Sequence, residues 1–115
     1  MTAGAPARLA VGVVGLGRLG RVYVRDLSSR IAETRVVAVA DPAPGLAAAM
    51  AAEFDVPRHY DDPAALVDDP GVDAVVIVSP THTHRAIVDA AAARRKPAFC
   101  EKPPALTLEE IGAMQ

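Results

Sequence analysis

Three glycines after the first apolar run constrain the fold of this chain more than any other feature. The β-like run Leu9–Val14 passes directly into Gly15-Leu-Gly17-Arg-Leu-Gly20, where a helix-like segment begins. Gly15 would allow a tight turn, Gly17 would let phosphates approach the backbone, and Gly20 would let the helix pack closely on the strand. The unpaired N–H groups at the start of the helix would then face the phosphates.

A carboxylate at the end of the second apolar run completes this pattern. Arg35-Val-Val-Ala-Val-Ala40 is followed by Asp41, 21 residues after Gly20. In a right-handed strand–helix–strand unit the two strands are neighbours, so we expect Asp41 to accept hydrogen bonds from ribose hydroxyls. Sites for S-adenosylmethionine and flavins also use glycine-rich turns, but the third glycine favours a dinucleotide. The plainer alternative is a cluster of turn glycines with an unrelated surface acid.

Length and composition predict a single domain. The chain has 115 residues, of which 51% are hydrophobic but only 3% aromatic, so Ala, Val and Leu must fill the core. Such a core suits parallel strands covered by helices on both faces. The formal net charge is −2, and the one basic cluster, Arg94-Arg95-Lys96, falls where a helix should end. We therefore expect neither a nucleic-acid nor a membrane surface.

The chain also lacks sequence signals for export. No apolar run approaches the roughly 18 residues of a membrane span, and Met1–Pro6 has no signal-peptide core. The single cysteine, Cys100, excludes an internal disulfide and suits a reducing compartment. These observations predict a cytoplasmic protein.

Strand and helix patterns alternate from residue 8 onward, after a flexible N-terminus over residues 1–7. The predicted strands are Arg8–Val14, Val36–Ala40, Pro57–Tyr60, Ala74–Val78 and Pro97–Cys100, and the predicted helices are Arg18–Ile31, Gly45–Phe54, Pro63–Asp68, His84–Arg95 and one that opens at Thr107 with a Thr107–Glu110 capping box. This α/β alternation predicts a doubly wound parallel sheet, the Rossmann dinucleotide-binding fold, over residues 8–115. Its strand order would be 3-2-1-4-5-6, truncated before the sixth strand.

The predicted order brings three loops together. The carboxyl ends of strands one, four and five lie side by side, so residues 15–20, 79–84 and 101–103 should line one crevice. In the second loop, Ser79-Pro-Thr-His-Thr-His84, either Thr81 or Thr83 would cap the next helix. Capping does not explain the two histidines.

A metal site is not expected. His82, His84, Cys100 and Glu101 have a spacing that matches no common zinc pattern. Cys100 alternates with Phe99 along a short strand predicted to be buried, so the thiol is interpreted as inert packing.

The first predicted helix carries two arginines where its dipole would favour acids. Arg18 and Arg21 either help to hold a bound pyrophosphate or are tolerated at the surface, and the sequence leaves both alternatives open. The inward face of this helix is predicted to consist of Leu19, Val22, Tyr23 and Leu27.

The third loop contains Glu101-Lys102-Pro103-Pro104. Lys102 at the end of strand five would project toward a nicotinamide ring whose pyrophosphate lies over Gly17. Desolvation and a cationic oxidised nicotinamide would both lower the pKa of Lys102, preparing it to relay a proton or to orient a substrate hydroxyl. The alternative is a surface Glu-Lys pair in a proline-rich loop.

Together, the glycine turn, Ala40-Asp41, Ser79-Pro-Thr-His-Thr-His84 and Glu101-Lys102-Pro103 resemble the N-terminal half of the Gfo/Idh/MocA oxidoreductases, most closely the inositol 2-dehydrogenase branch. The resemblance covers nearly all of residues 8 to 115. It implies NAD(P)-dependent oxidation of a sugar or cyclitol hydroxyl to a ketone. Pro104 replaces the aliphatic residue that is usual in the family.

The resemblance also implies a set of site residues. Lys102 matches the catalytic lysine, and Thr81 and His84 match positions that line the nicotinamide end. The residues expected to bind the cofactor are Gly15, Leu16, Gly17, Arg18, Leu19, Gly20, Asp41, Ser79, Pro80, Thr81, His84, Glu101 and Lys102. Asp41 favours NAD over NADP, because Pro42-Ala-Pro-Gly45 offers no cation for a 2′-phosphate and only Arg18 would.

The resemblance implies a longer parent protein. Family members carry a second domain that supplies further catalytic residues, most substrate contacts and the interface of a homo-oligomer. The chain is therefore interpreted as the cofactor-binding portion of a polyol or sugar dehydrogenase, inactive by itself. The alternative from another class is a nucleotide-binding or redox-sensing module without turnover.

Overall fold

The structure, a computed structural model, describes residues 8–100. Strands and helices alternate along this range. The strands are β1 (Leu9–Val14), β2 (Thr34–Ala40), β3 (Arg58–Tyr60), β4 (Ala74–Ile77) and β5 (Ala98–Cys100), and the helices are α1 (Arg18–Ser29), α2 (Leu46–Phe54), α3 (Pro63–Asp68) and α4 (Thr81–Ala93). The helix predicted to open at Thr107 lies outside the described residues. In the described part of the chain, no helix is both long and apolar enough to span a bilayer.

The five strands form one parallel sheet in the order β3-β2-β1-β4-β5. The predicted doubly wound α/β fold is therefore confirmed. β1 lies at the centre, with β2 on one side and β4 on the other. The carboxyl end of β1 thus opens between the loops that follow β2 and β4, which is the crevice where such sheets bind ligands.

Helices cover both faces of the sheet. Neighbouring residues of β1 point to opposite faces, so Val13 joins the core with Val24 and Met50 of α1 and α2, whereas Val14 joins the core with Leu66 and with residues of α4. Val13, Val14 and Leu66 are fully buried. Burial on both faces explains why the strands are continuous apolar runs rather than alternating ones.

The buried stripe of α1 differs from the predicted one. The structure buries Gly20 and Val24, whereas the predicted inward residues Leu19, Val22, Tyr23 and Leu27 are only partly buried. A Cβ on Gly20 would overlap the carbonyl oxygen of Gly15, so the helix packs tightly against the glycine turn at Gly20. The buried stripe of α1 therefore runs through Gly20 and Val24, one position along the helix from the predicted Leu19 and Tyr23.

The start of α4 is three residues earlier than predicted, at Thr81 rather than His84. Pro80 is the N-cap residue, and no side chain caps the helix, so the predicted capping by Thr81 or Thr83 is wrong. Proline is tolerated at a helix start because the first N–H groups have no intrahelical partner. The Thr83 hydroxyl instead donates a hydrogen bond to the carbonyl oxygen of Pro80, at 2.7 Å.

The predicted burial of the last described strand is also wrong. Phe99 is 62% exposed and Cys100 is exposed. β5 pairs with β4 and is the edge of the described sheet. Its side chains therefore lack a neighbouring strand on one side among residues 8–100.

A buried carboxylate joins β3 to the segment between α3 and β4. Asp69 Oδ2 accepts hydrogen bonds from Arg58 Nε at 2.5 Å and from the Tyr60 hydroxyl at 2.7 Å, and Oδ1 accepts one from the Gly71 N–H at 2.7 Å. The Lys96 ammonium donates to the backbone oxygens of Val67 and Asp69. These contacts attach the edge strand β3 to the centre of the fold.

Candidate functional site

The glycine turn is held between the ends of two strands. Gly15 has φ +94°, a conformation that side chains disfavour, and a Cβ there would overlap the backbone of Val78 and Ser79. The Gly15 N–H donates to the Ala40 carbonyl at 2.9 Å. The structure therefore requires glycine at this position, as the sequence predicted, and the turn lies close to the loops after β2 and β4.

Gly17 differs from Gly15 because the protein itself does not crowd it. A Cβ on Gly17 would meet no described atom within 4 Å. Gly17 is the N-cap residue of α1, and no side chain caps the helix. The open space over Gly17 and the uncapped N–H groups of α1 together suit a ligand that brings anionic oxygens to the backbone.

Asp41 lies on one side of the glycine turn and contacts it directly. Its Oδ2 accepts a hydrogen bond from the Leu16 N–H at 2.8 Å, and its Oδ1 accepts one from the Ala43 N–H at 2.8 Å. Each carboxylate oxygen has a further lone pair. Asp41 can therefore hold the two loops in place and still accept hydrogen bonds from ligand hydroxyls.

A cleft of about 640 Å³ opens above these residues. It is lined by Gly15, Gly17, Leu19, Asp41, Pro42, Val78, Ser79, Pro80, His82, Thr83 and Ile87. The glycine turn, Asp41, Ser79 and Pro80 thus come together as predicted. Pro42, Val78 and Ile87 were not predicted from the sequence to belong to the site. Helical spacing would have found Ile87, because it lies four residues after Thr83 on the same face of α4.

The loop after β4 is fixed by side-chain hydrogen bonds. The Ser79 and Thr83 hydroxyl oxygens are 2.6 Å apart, and His84 Nε2 lies 2.7 Å from the Ser79 carbonyl oxygen. A carbonyl only accepts, so Nε2 of His84 carries a proton. Thr81 and His84 are not among the residues that line the cleft, whereas His82 and Thr83 are.

The two arginines of the first turn of α1 have different surroundings. Arg21 forms an ion pair with Glu53 of α2, its Nη1 lying 2.6 Å from Oε1, and its guanidinium lies 5.2 Å from the centre of the Phe54 ring. Arg18 is exposed beside Gly17, and no hydrogen bond or ion pair joins it to another of residues 8–100. Arg18 is therefore the arginine that remains available to a ligand.

Two residues of the predicted site are outside the part of the chain that the structure describes. Glu101 and Lys102 lie beyond residues 8–100, so the third predicted loop is not part of the described cleft. Among the described residues, no group of three or more His, Cys, Asp or Glu side chains is placed to hold a metal ion.

The chain is similar in sequence to known inositol dehydrogenases. The chain is 49% identical over 98 residues to inositol 2-dehydrogenase 1 of Saccharopolyspora erythraea, an alignment that covers 84% of the chain and 29% of that relative. It is 42% identical over 101 residues to scyllo-inositol 2-dehydrogenase (NAD(+)) of Bacillus subtilis, covering 88% of the chain and 30% of the relative. The chain thus spans less than a third of the length of these relatives.

Solved structures of dehydrogenases superpose on this chain. A probable dehydrogenase from Thermotoga maritima superposes with a TM-score of 0.79 at 38% identity, over 92% of this chain and 32% of that one. Scyllo-inositol dehydrogenase from Lactobacillus casei, solved with bound NAD(H) and scyllo-inositol, superposes with a TM-score of 0.79 at 30% identity, over 94% and 32%.

A family assignment follows from the sequence match together with the fold. Residues 9–115 match the Gfo/Idh/MocA family, described as an oxidoreductase family with an NAD-binding Rossmann fold. The expected resemblance is confirmed, and the chain belongs to the Gfo/Idh/MocA oxidoreductase family.

Proposed function

We propose that this chain is the NAD-binding portion of a dehydrogenase that oxidises a hydroxyl of an inositol or a similar sugar or cyclitol to a ketone. Its family and its inositol dehydrogenase relatives support the activity. The activity belongs to a longer parent protein, because the chain spans about 30% of the length of such relatives.

The polarity of the cleft supports a dinucleotide. Hydrogen-bond donors lie at its centre, where Gly17 and the start of α1 present backbone N–H groups. Acceptors lie at its flanks, with the Asp41 carboxylate after β2 and the Ser79 hydroxyl after β4. A dinucleotide has the complementary arrangement, since its central pyrophosphate is anionic and its two flanking riboses carry hydroxyls.

Asp41 is the observation that carries the choice of NAD over NADP. A carboxylate at the end of β2 accepts hydrogen bonds from ribose hydroxyls and repels a 2′-phosphate. Pro42 borders the same part of the cleft and brings no charge. Arg18 is the nearby cation that would favour a phosphate, and its place beside Gly17 suits the pyrophosphate instead.

Chemistry at the nicotinamide end is assigned to Lys102. Bound NAD would supply the hydride acceptor. We assign to Lys102 the transfer of the proton from the substrate hydroxyl, on the basis of the family resemblance of Glu101-Lys102-Pro103. We also keep Leu16, Leu19, Gly20, Pro80, Thr81, His84 and Glu101 as proposed cofactor-site residues.

The setting of the parent protein is proposed on the same basis. It would carry a second domain that binds the polyol and joins subunits into a homo-oligomer. It would work in the cytoplasm, where the exposed thiol of Cys100 stays reduced.

A substrate screen tests this proposal. The complete protein that the reading frame encodes is mixed with NAD and with a panel of inositol isomers and sugars, and the formation of NADH is followed by absorbance. We expect NADH with at least one cyclitol or sugar. NAD binding without oxidation of any polyol would contradict the proposal and would favour a nucleotide-binding module without turnover.

A further inference from the structure

The hydroxyls of Ser79 and Thr83 form a short chain on one wall of the cleft. Their oxygens are 2.6 Å apart, and the Thr83 oxygen also lies 2.7 Å from the carbonyl oxygen of Pro80. Both residues line the cleft. Thr83 was predicted to lie in the loop that lines the crevice and was considered as a possible helix cap, but neither the family match nor the cleft geometry by itself gives it a further role.

The direction of these hydrogen bonds follows from counting protons. A carbonyl oxygen has no proton, so the proton in the contact between Thr83 and Pro80 must come from Thr83. A hydroxyl has only one proton, and Thr83 can therefore only accept in its contact with Ser79. The Ser79 proton is consequently directed at Thr83 and away from any ligand.

This direction sets what the Ser79 hydroxyl can bind. With its proton engaged, Ser79 Oγ presents only a lone pair to the cleft. Phosphate oxygens also present lone pairs, so they are poor partners for it, whereas a ribose hydroxyl or an amide N–H is a good one. His84 reinforces the arrangement, because Nε2 donates to the Ser79 carbonyl oxygen and holds the backbone of the same residue.

The position of Ser79 in the sheet identifies which part of a dinucleotide it meets. Asp41 follows β2 and Ser79 follows β4, with the glycine turn after β1 between them. If Asp41 binds one ribose and the turn binds the pyrophosphate, the other half of the dinucleotide lies on the Ser79 side. That half carries hydrogen-bond donors in its ribose hydroxyls and in its carboxamide.

We infer that Thr83 is a positioning residue: it orients the Ser79 hydroxyl so that Ser79 accepts a hydrogen bond from a ribose hydroxyl or carboxamide N–H in the nicotinamide half of NAD. The inference rests on the proposed NAD binding. It adds a residue that determines affinity for one half of the cofactor without contacting the phosphates.

Substitutions at Thr83 test the inference in the complete protein, with affinities measured by calorimetric titration. Thr83→Val keeps the shape and removes the hydroxyl, so the Ser79 proton is free to turn toward the cleft. We expect the Kd for NAD to rise about 3- to 10-fold, the size of one neutral hydrogen bond. Thr83→Ser restores the hydroxyl and should restore the affinity, while the Kd for ADP, which lacks the second half, should stay unchanged.

One further ligand, ADP-ribose, and one control variant make the result specific. If Thr83→Val weakens the binding of ADP-ribose as much as that of NAD, the donor is a hydroxyl of the second ribose. If it weakens the binding of NAD alone, the donor is the carboxamide N–H. Thr34→Val is the matched control, since the Thr34 hydroxyl donates to the Leu27 carbonyl at 2.8 Å at the opposite end of β2. It should lower the melting temperature without changing NAD affinity.

A double variant separates positioning from general damage. Thr83 acts through Ser79, so Ser79→Ala/Thr83→Val should bind NAD no more weakly than Ser79→Ala alone. Unchanged NAD affinity in Thr83→Val, or an equal loss for ADP, would overturn the inference while leaving NAD binding itself intact. Failure of the wild-type protein to bind NAD would overturn the proposed function and this inference together.

Discussion

Asp41 combines two roles in one side chain. Its carboxylate accepts the N–H groups of Leu16 and Ala43, each at 2.8 Å, and so joins the glycine turn to the loop after β2. The same oxygens are the proposed acceptors for ribose hydroxyls. A substitution that removes the carboxylate therefore changes the shape of the phosphate site as well as the ribose contact.

Replacing Asp41 with Ala is accordingly expected to weaken NAD binding without creating good NADP binding. Hydrogen bonds to a charged group contribute about 1.5 to 3 kcal/mol, so the Kd for NAD should rise about 10- to 100-fold. Asp62→Ala is the control, because Asp62 also accepts a backbone N–H, that of Ala64 at 2.9 Å, but caps α3 instead. NADP affinity in Asp41→Ala equal to the wild-type affinity for NAD would contradict the double role.

Lys102 is expected to act in the chemical step and not in cofactor affinity. In the complete protein, Lys102→Ala should lower kcat by about 10²-fold or more if Lys102 transfers a proton. The Kd for NAD should hardly change. Steady-state kinetics measures kcat, and a parallel titration measures the Kd for NAD. A normal kcat in Lys102→Ala would contradict the prediction and favour the alternative of a surface Glu-Lys pair.

For helices and strands, the sequence predicted those bounds that hydrophobic periodicity and turn residues determine. The bounds of α3 agree with the prediction, because Asp62 and Pro63 form a strong helix start. The start of α4 was missed because Pro80 can serve as the N-cap without any side-chain signal. The exposure of Phe99 was missed because it depends on which strand lies beside β5, and local sequence does not encode that.

The parts of the site that depend on local residue type could also be predicted from the sequence. Gly15 and Asp41 are recognisable because turn geometry and strand ends demand those residue types. The pairing of Thr83 with Ser79 was not, since it depends on where α4 begins. The engagement of Arg21 with Glu53 depends on the packing of α1 against α2, which no local pattern specifies.

The Asp69 cluster, in which Asp69 accepts hydrogen bonds from Arg58, Tyr60 and Gly71, gives a prediction about the attachment of β3. Burial alone would raise the pKa of Asp69, but hydrogen bonds from Tyr60, Arg58 and the Gly71 N–H outweigh it, and the pKa lies below its usual value. A lowered pKa in the folded state means that the carboxylate stabilises the protein above its ordinary pKa of about 4, and that this contribution is lost as the pH falls through the lowered value.

Asp69→Asn should therefore lower the free energy of unfolding by about 2 kcal/mol at neutral pH and flatten its decline below about pH 4. The neighbouring Asp68→Asn is the control, since its ion pair with Arg94 is more than half exposed on both sides and contributes little. Urea unfolding at several pH values measures both. Equal destabilisation by the two variants would contradict the role assigned to the cluster.

On the scale of the whole molecule, the described sheet leaves an apolar surface at its β5 edge. A second cleft of about 460 Å³ lies there, and its lining includes Leu9, Tyr23, Val76 and Phe99. Exposed apolar surface and unpaired strand edges favour association with other chains. This edge is distinct from the cleft over the glycine turn.

We expect the 115-residue chain expressed by itself to self-associate and to oxidise no polyol. Phe99→Lys should reduce the association, because it places a charge on the edge strand. Ile31→Lys removes an exposed apolar side chain that does not line the second cleft and should have little effect. Light scattering measures the association state, and a soluble monomer with a cooperative thermal transition would contradict the expectation.

We propose that the cleft over the glycine turn binds NAD with Asp41 at the ribose. The most direct test is to titrate the complete protein with NAD and with NADP under the same conditions in a calorimeter. We predict tighter binding of NAD, because a 2′-phosphate would meet the Asp41 carboxylate. Equal or tighter binding of NADP would contradict the claim.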